Sequence, residues 1–485
     1  MKSLRALLLT CFALALPAAG QTDGKIEAKL DTIIQKLDRN QGTLEEVAKV
    51  VKKDAAPETQ VAAPAPEVAG KAEIETVQVN VNTVWMIVAG SLVFLMQAGF
   101  AMVELGFSRA KNSINIIMKN FLDFSISVIV FMFLGFGLMF GASASGWIGT
   151  NSFWLSNHGG DSTLWAFWFF QAVFAGTACT IVSGAMAERT KFVGYLIYAA
   201  LLAAIVYPLG GHWAWGSFGG GFGVGGDKGW LEAMGFVDFA GSTVVHGCGG
   251  ACALAGILVV GARHGRFAKD GTPRLIAGHN IPLAALGVFI LWFGWFGFNA
   301  GSTLIGDGTI GRIAVNTTIA PAAAALSAMV SMWFVQGRPD VGITLNGSLG
   351  GLVGITACCA NISPASAFIV GLIAGIITTV ATIALERMQI DDAVGAVPVH
   401  LANGWWGTIS VALFNMDGFD AHKLGVQALG TFSITFTSFV ICFAIFKVVD
   451  LVIGLRATEH EQIDGLDFAE HSANAYPDFQ TTEQA

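Results

Sequence analysis

Residues 83–103 read TVWMIVAGSLVFLMQAGFAMV, twenty-one residues without a charge. The hydrocarbon core of a bilayer takes about 20 apolar residues of helix, so this stretch reads as one membrane crossing. Comparable runs recur at 118–140, 164–187, 192–215, 238–262, 280–305, 313–336, 341–360, 365–385, 393–414 and 424–449, eleven in all. The whole chain agrees: of 485 residues, 54% are hydrophobic and 12% charged, where a soluble domain carries roughly 25% charged residues. This excludes a soluble enzyme, a disordered chain and a secreted disulfide scaffold. It leaves an all-α polytopic membrane protein. The net charge of −8 comes with no basic patch, so no nucleic acid is expected. The seven cysteines lie mostly inside apolar runs without paired CxxC spacing, and there they act as small hydrophobes.

The charges between the runs set an orientation. Arg109, Lys111, Arg189, Lys191, Arg263, Arg266, Lys269, Arg274, Arg338 and Arg387 share one side, and only Lys228, Arg312 and Lys423 the other. The first side is cytoplasmic by the positive-inside rule. Residues 1–20 agree: Lys2 and Arg5, an apolar core at 6–16, then Pro17 and Ala18-Ala19-Gly20 form a secretory signal with a small-residue cleavage site, too short to span. The N-terminus is therefore expected outside and the C-terminus in the cytoplasm. Residues 21–80 read as a polar extracytoplasmic arm with an Ala/Pro/Glu linker at 54–70, residues 81–453 as the transmembrane domain, and 454–485 as a cytoplasmic tail. A secretory signal with membrane spans suits a cell (inner) membrane, and a eukaryotic plasma membrane or organelle fits the same residues.

Small residues four apart, Gly347 and Gly351, Gly350 and Gly354, Gly371 and Gly375, predict tight helix packing. Val-His-x-x-x-Gly occurs twice, at 245–250 and 399–404, in the fifth and tenth runs. Two five-helix halves plus one extra helix produce that spacing. An offset of five helices inverts the second half, a 5+5 inverted repeat.

Ionisable groups at membrane depth are costly and usually functional. His246 and His400 lie within runs; facing one another they would share a proton, since a neutral imidazole has one donor and one acceptor nitrogen. Metal binding is the rival reading, but no third ligand is evident, so no metal is expected. Asp238 opens its run, where it caps free backbone amides, attracts a cation, or does both. Glu104 and Asp123 stand near run ends and are expected to reach the interface. Phe170 and Phe174 share a helical face and read as core packing, and the tryptophans at the run ends as interfacial belt residues; alternatively these aromatics, with Trp215, Trp295 and Phe298 beside Ser302, wall a cation–π site.

At these residues the chain resembles the Amt/Mep/Rh ammonium transporter family, and its Amt branch in particular. The resemblance covers about residues 81–476 and rests on QAGFAMVELGFSRAKN (97–112), GAMAERTKF (184–192), DFAGSTVVH (238–246), GWFGFNAGS (294–302), Asp391-Asp392 followed by Val399-His400, and GLDFAEHSANAY (465–476). It implies a homotrimer of eleven-helix protomers, each with its own pore. It implies an outer ammonium-recruitment site at Phe174, Trp215 and Ser302 with Phe170 nearby, and a gate of Phe174 and Phe298. His246 and His400 would line the pore, with Asp238 a structural carboxylate and Trp295 and Asn299 in support. No cofactor is implied; a PII-type signalling protein can dock on the cytoplasmic face of bacterial relatives. The arm at 21–80, Leu-Ala-Asn-Gly-Trp-Trp after His400, and Gly395 where some branches carry Asp depart from the family pattern.

The leading functional reading is an ammonium transporter or channel. The second is an ammonium sensor with little net transport; only about 35 residues follow the last run, short for a signalling output. An intramembrane enzyme is disfavoured because HExxH and GxSxG are absent, and an ATP-driven pump because no P-loop occurs.

Overall fold

The computed structural model describes residues 67–156 and 162–479. The expected signal peptide and most of the expected arm lie outside those residues. Where lipid replaces water, every backbone N–H and C=O must be satisfied within the chain, and the described chain meets this with helices. In order they are α1 (Glu67–Phe107), α2 (Ala110–Phe140), α3 (Ser162–Ala185), α4 (Phe192–Phe222), α5 (Ser242–Val260), α6 (Ile281–Gly301), α7 (Thr309–Gln336), α8 (Val341–Thr356), α9 (Pro364–Arg387), α10 (397–413) and α11 (Ala421–Ile453). Each of the apolar runs falls on one of them. Helix α1 begins ahead of residue 81, the expected start of the membrane domain.

Among the described residues nine helices are long and apolar enough to cross a membrane; α8 and α10 are shorter. The reason is their position. Most of α8 and most of α10 are buried by other helices, so neither depends on a long lipid-facing stripe. Phe121, Phe289, Phe334, Val380, Val448 and Leu451 on the outer helices instead leave large apolar side chains uncovered.

Short side chains set the close approaches. A Cβ on Gly371 would stand 2.2 Å from the Ala320 carbonyl oxygen, and one on Gly351 2.5 Å from Ala324 Cβ. Helices α7, α8 and α9 therefore meet nearly backbone to backbone. Capping fixes where several helices start: Asn280 Oδ1 accepts from the Leu283 N–H at 3.0 Å on α6, and Asp340 Oδ1 from Ile343 at 2.8 Å on α8.

The two ends of the bundle differ. One is arginine-rich. There Arg263 grips Asp391 through Nε at 2.8 Å and Nη2 at 2.9 Å, Arg109 pairs with Glu188 at 2.6 Å, and buried Arg189 donates to the Asp391 carbonyl at 2.6 Å. Burial pushes the Asp391 carboxyl up, but the Arg263 hydrogen bonds and the Arg189 and Arg263 charges outweigh it and hold it well below the usual carboxylate range. Burial, partly offset by Asp391, pulls the Arg189 guanidinium down to about 10. The tail folds back onto this end through α12 (Glu459–Asp464) and α13 (Leu466–His471). Asp467 Oδ1 accepts from the Asn115 N–H at 2.8 Å, Glu470 from Phe192 at 3.0 Å, and Tyr476 meets His279 at 3.0 Å. The other end is aromatic: a hairpin of β1 (Ser143–Ala144) and β2 (Ile148–Gly149) carries Trp147 against Trp213 and Trp230, centroids 5.4 and 5.3 Å away.

Candidate functional site

Toward the aromatic end a small cavity of about 10 Å³ is lined by Phe170, Phe174, Trp215 and Ser302. The four residues expected to recruit a cation thus come together from α3, α4 and the end of α6. The Trp215 indole donates to the Asp238 carbonyl at 2.7 Å and Ser302 Oγ to the Phe298 carbonyl at 2.8 Å; both bonds fix the wall. Gln171 lines the same cavity, and its buried Oε1 has no hydrogen-bond partner. The sequence reading passed over it, because a glutamine inside an apolar run does not announce which face it occupies.

Beneath the cavity Phe174 and Phe298 stack, centroids 4.0 Å apart and planes 18° from parallel. Phe170 leans on Phe174 at 4.7 Å. This stack separates the cavity from two histidines. His246 packs against both Phe298, centroid at 5.3 Å, and Trp295, which stacks on it at 5.0 Å, the three rings forming one cluster. Its Nδ1 meets His400 Nδ1 at 3.1 Å. His246 is fully buried and its Nε2 has no partner. Trp295 is held by Thr356 Oγ1 at 2.8 Å. Asn299 is tied to Thr317 on α7 at 3.0 Å and is not among the residues lining the aromatic cavity.

An Nδ1-to-Nδ1 contact has a chemical consequence. Only one of the two nitrogens can carry the shared proton. The neutral pair therefore presents one Nε2 as an acceptor and the other as an N–H donor; the roles exchange only when the shared proton moves, one proton leaves the donor Nε2 and another joins the acceptor Nε2.

The backbone under each histidine is built alike. Asp238 Oδ1 accepts the N–H groups of Gly241 and Ser242, and Oδ2 those of Thr243 and Val244, at 2.8–2.9 Å. Asp392 does the same for Gly395, Ala396 and Val397 at 2.7–3.0 Å. A glycine follows each aspartate by three, at φ +110 for Gly241 and +82 for Gly395, a conformation costly with a Cβ. Each carboxylate then opens a wide helical turn, Ser242–Gly247 and Val397–Ala402, of the kind often found at functional sites. The signal was available: D-x-x-G-x-x-x-V-H-x-x-x-G runs from 238 to 250 and from 392 to 404, longer than the Val-His-x-x-x-Gly match. Gly395 is the turn glycine here, and the acidic side chain of this segment is Asp392.

Glu104 and Asp123, expected at the interface, are 2% and 0% exposed. A membrane-depth carboxyl needs partners, and both have them. Asn120 and Ser183 each donate to Glu104 at 2.9 Å, while Tyr195 and Gln97 donate to Asp123 at 2.7 and 2.9 Å.

Residues 84–476 match the profile of the Ammonium Transporter Family. The chain is 44% identical over 436 residues to the ammonium transporter Amt2 of Archaeoglobus fulgidus, covering 84% of this chain and 91% of that one. It is 38% identical over 421 residues to Amt1 of Haloferax mediterranei, covering 82% and 80%. Among solved structures, a sensor Amt protein superposes with a TM-score of 0.79 at 42% identity, covering 82% of this chain and 99% of that one. Mep2 of Candida albicans gives 0.72 at 27%, covering 83% and 92%.

Proposed function

The chain belongs to the Ammonium Transporter Family, and from that premise we propose that it recruits ammonium at the aromatic cavity, removes its proton near the phenylalanine gate and conducts ammonia past His246 and His400. The observation that carries this reading is the series itself: aromatic cavity, Phe174–Phe298 stack at 4.0 Å, then the paired histidines at 3.1 Å. Aromatic faces with the Ser302 hydroxyl attract a small cation, and the unpartnered Gln171 Oε1 adds an acceptor for its N–H groups. Directly beyond the gate stand the rings of Trp295, His246 and His400. A bare ion is heavily penalised there. Potassium, similar to ammonium in size and charge, cannot shed its charge; ammonium can lose a proton and cross as a neutral. The free Nε2 of His246 then gives the amine a hydrogen-bonding partner below the gate.

In this reading the eleven helices all cross the membrane as a 5+5 inverted repeat plus one. The N-terminus lies outside behind a cleaved signal, the arginine-rich end and tail face the cytoplasm, and the protein works in the cell (inner) membrane as a homotrimer. The two D-x-x-G-x-x-x-V-H-x-x-x-G segments support the repeat. A PII-type partner would meet the arginine-rich face.

The second reading is an ammonium sensor with little net transport, favoured by the 42% identity to a sensor Amt protein. Stopped-flow uptake into liposomes holding the purified chain separates the two. Ammonium added outside should raise internal pH faster than in empty liposomes, and Phe174→Ala or His246→Ala should change that rate. Saturable ammonium binding with uptake no faster than in empty liposomes would sink the transporter reading and leave the sensor.

A further inference from the structure

On the far side of the histidines from the gate lies a second cavity of about 20 Å³, lined by His400, Glu104, Asn346, Phe100, Val103 and Leu349 among others. That is room for about one water or ammonia. Besides His400, Glu104 is the one ionisable side chain in its wall. Asn346, the other polar group, is occupied: its amide donates to the Val394 carbonyl at 2.9 Å.

The Glu104 carboxyl is held in place by neutral donors. The hydrogen bonds from Asn120 Nδ2 and Ser183 Oγ both fall on Oε2, the Gly184 N–H is a further donor to the carboxylate, and the side chain lines the cavity wall. Behind the side-chain donors Thr180 Oγ1 donates to Asn120 Oδ1 at 2.9 Å, which fixes the Asn120 amide, and Gln97 donates to the Asn120 carbonyl and to Asp123. Gly184 lets the carboxyl lie close to α3: a Cβ there would stand 3.0 Å from Glu104 Cγ. The nearby buried cation Lys119 is engaged elsewhere, its Nζ donating to the Thr190 carbonyl at 3.1 Å. No ion pair within 4 Å engages Glu104 among the described residues. A buried carboxyl held by neutral donors, with a lysine nearby but no ion pair, is expensive to keep ionised and expensive to keep at all, unless it changes protonation as part of its work.

We propose that Glu104 is the proton carrier at the inner end of the pore, resting on the transport reading above and extending it. A proton arriving on the histidine pair leaves the imidazolium of His400, whose N–H bond breaks as an O–H bond forms on Glu104 Oε1. The transfer is direct or through one water in the cavity, and the carboxylate becomes a carboxylic acid. Ammonia emerging past His400 then takes that proton: the O–H bond breaks, a fourth N–H bond forms, and ammonium departs from a regenerated carboxylate. No oxidant, reductant or metal is required. The two buried acids thereby differ in role. Asp123, doubly satisfied by Tyr195 and Gln97 and absent from the cavity wall, stays structural.

The test uses the full-length protein in liposomes, with ammonium-evoked current and internal pH read on the same preparations. Glu104→Gln keeps the size and an acceptor oxygen for Asn120 and Ser183 but cannot cycle a proton. Its current should fall by about 100-fold, the scale of losing a positioned proton-transfer group, while internal pH still rises as neutral ammonia enters. Glu104→Asp keeps a carboxyl and should retain a substantial part of the current. Current within twofold of wild type in Glu104→Gln would overturn the assignment. So would loss of current and uptake together in both variants, since a purely structural role predicts that. Wild-type uptake with no current would also overturn it, leaving neutral transport standing. Absence of both uptake and current in the wild type would instead mark failure of the transport reading itself.

Discussion

The segments 238–246 and 392–400 use one backbone device to two ends. Each runs from a capping carboxylate through a positive-φ glycine into a wide turn that delivers a histidine, and the two histidines meet at 3.1 Å. The surroundings differ. His246 packs in a cluster with Phe298 and Trp295, and its aspartate braces Trp215 in the aromatic cavity through a carbonyl. His400 has one aromatic neighbour, Phe100 at 6.1 Å, and lines a cavity that contains Glu104. Its aspartate follows Asp391, which is locked by Arg263 and Arg189. The direction of the proposed pore therefore comes from the walls and not from the scaffold: one half presents π faces to a cation, the other a carboxyl to a proton.

The arginine cluster has no counterpart at the first segment, so its loss should have the largest effect and fall on the second half alone. Arg263→Ala leaves Asp391 buried without its principal partner, which costs about 3–5 kcal/mol; thermal unfolding in detergent reads this. The pH dependence follows from the depressed Asp391 carboxyl. Its contribution is fully present above the unfolded carboxylate value of about 3.9 and is lost as pH falls through the lower folded value. Wild type should keep this contribution down to mildly acidic pH, and Arg263→Ala should show less of it at every pH above that window.

Removing either capping carboxylate sharpens the comparison. Asp238→Ala strands four N–H groups and Asp392→Ala three. With charge-assisted bonds worth about 1.5–3 kcal/mol each and water partly replacing them, losses of about 2–4 kcal/mol are expected, the larger at Asp238. The reverse order would break the equivalence of the two devices. Gly241→Ala and Gly395→Ala should each cost about 1–2 kcal/mol from the left-handed backbone. The greater added clash falls at Gly395, where a Cβ would stand 2.4 Å from Asn346 Nδ2. Smallest, Ser302→Ala should weaken half-saturation for ammonium by about fivefold, the equivalent of one modest hydrogen bond, with the maximal rate little changed; uptake titrations check it. An equal shift from a substitution at Asn346, in the other cavity, would blur the division between recruiting and releasing ends.

Much of this was legible before the structure. Apolar runs of about 20 residues must become helices in lipid, and each run falls on one. The paired histidines announced themselves because ionisable groups inside such runs are rare. What stayed hidden was direction around the helix axis. Hydropathy places Glu104 and Asp123 near a run's end but cannot say that both turn inward, and it gives no reason to separate Gln171 Oε1 from any other buried amide. The Asp392 cap was missed for a different reason: it lies before its run, in text that reads as a loop, and only the alignment with Asp238 through the shared glycine reveals it. The brevity of α8 and α10 was likewise invisible, since composition does not distinguish a helix sheathed in protein from one facing lipid.

The measurement that bears most directly on the two-histidine account is the ammonium-evoked current from liposomes holding the purified protein, recorded on a solid-supported membrane for wild type, His246→Ala and His400→Ala. The account predicts a saturable current in wild type that either substitution abolishes, because the shared proton needs both Nδ1 atoms. A current that persists undiminished with one imidazole gone would contradict it.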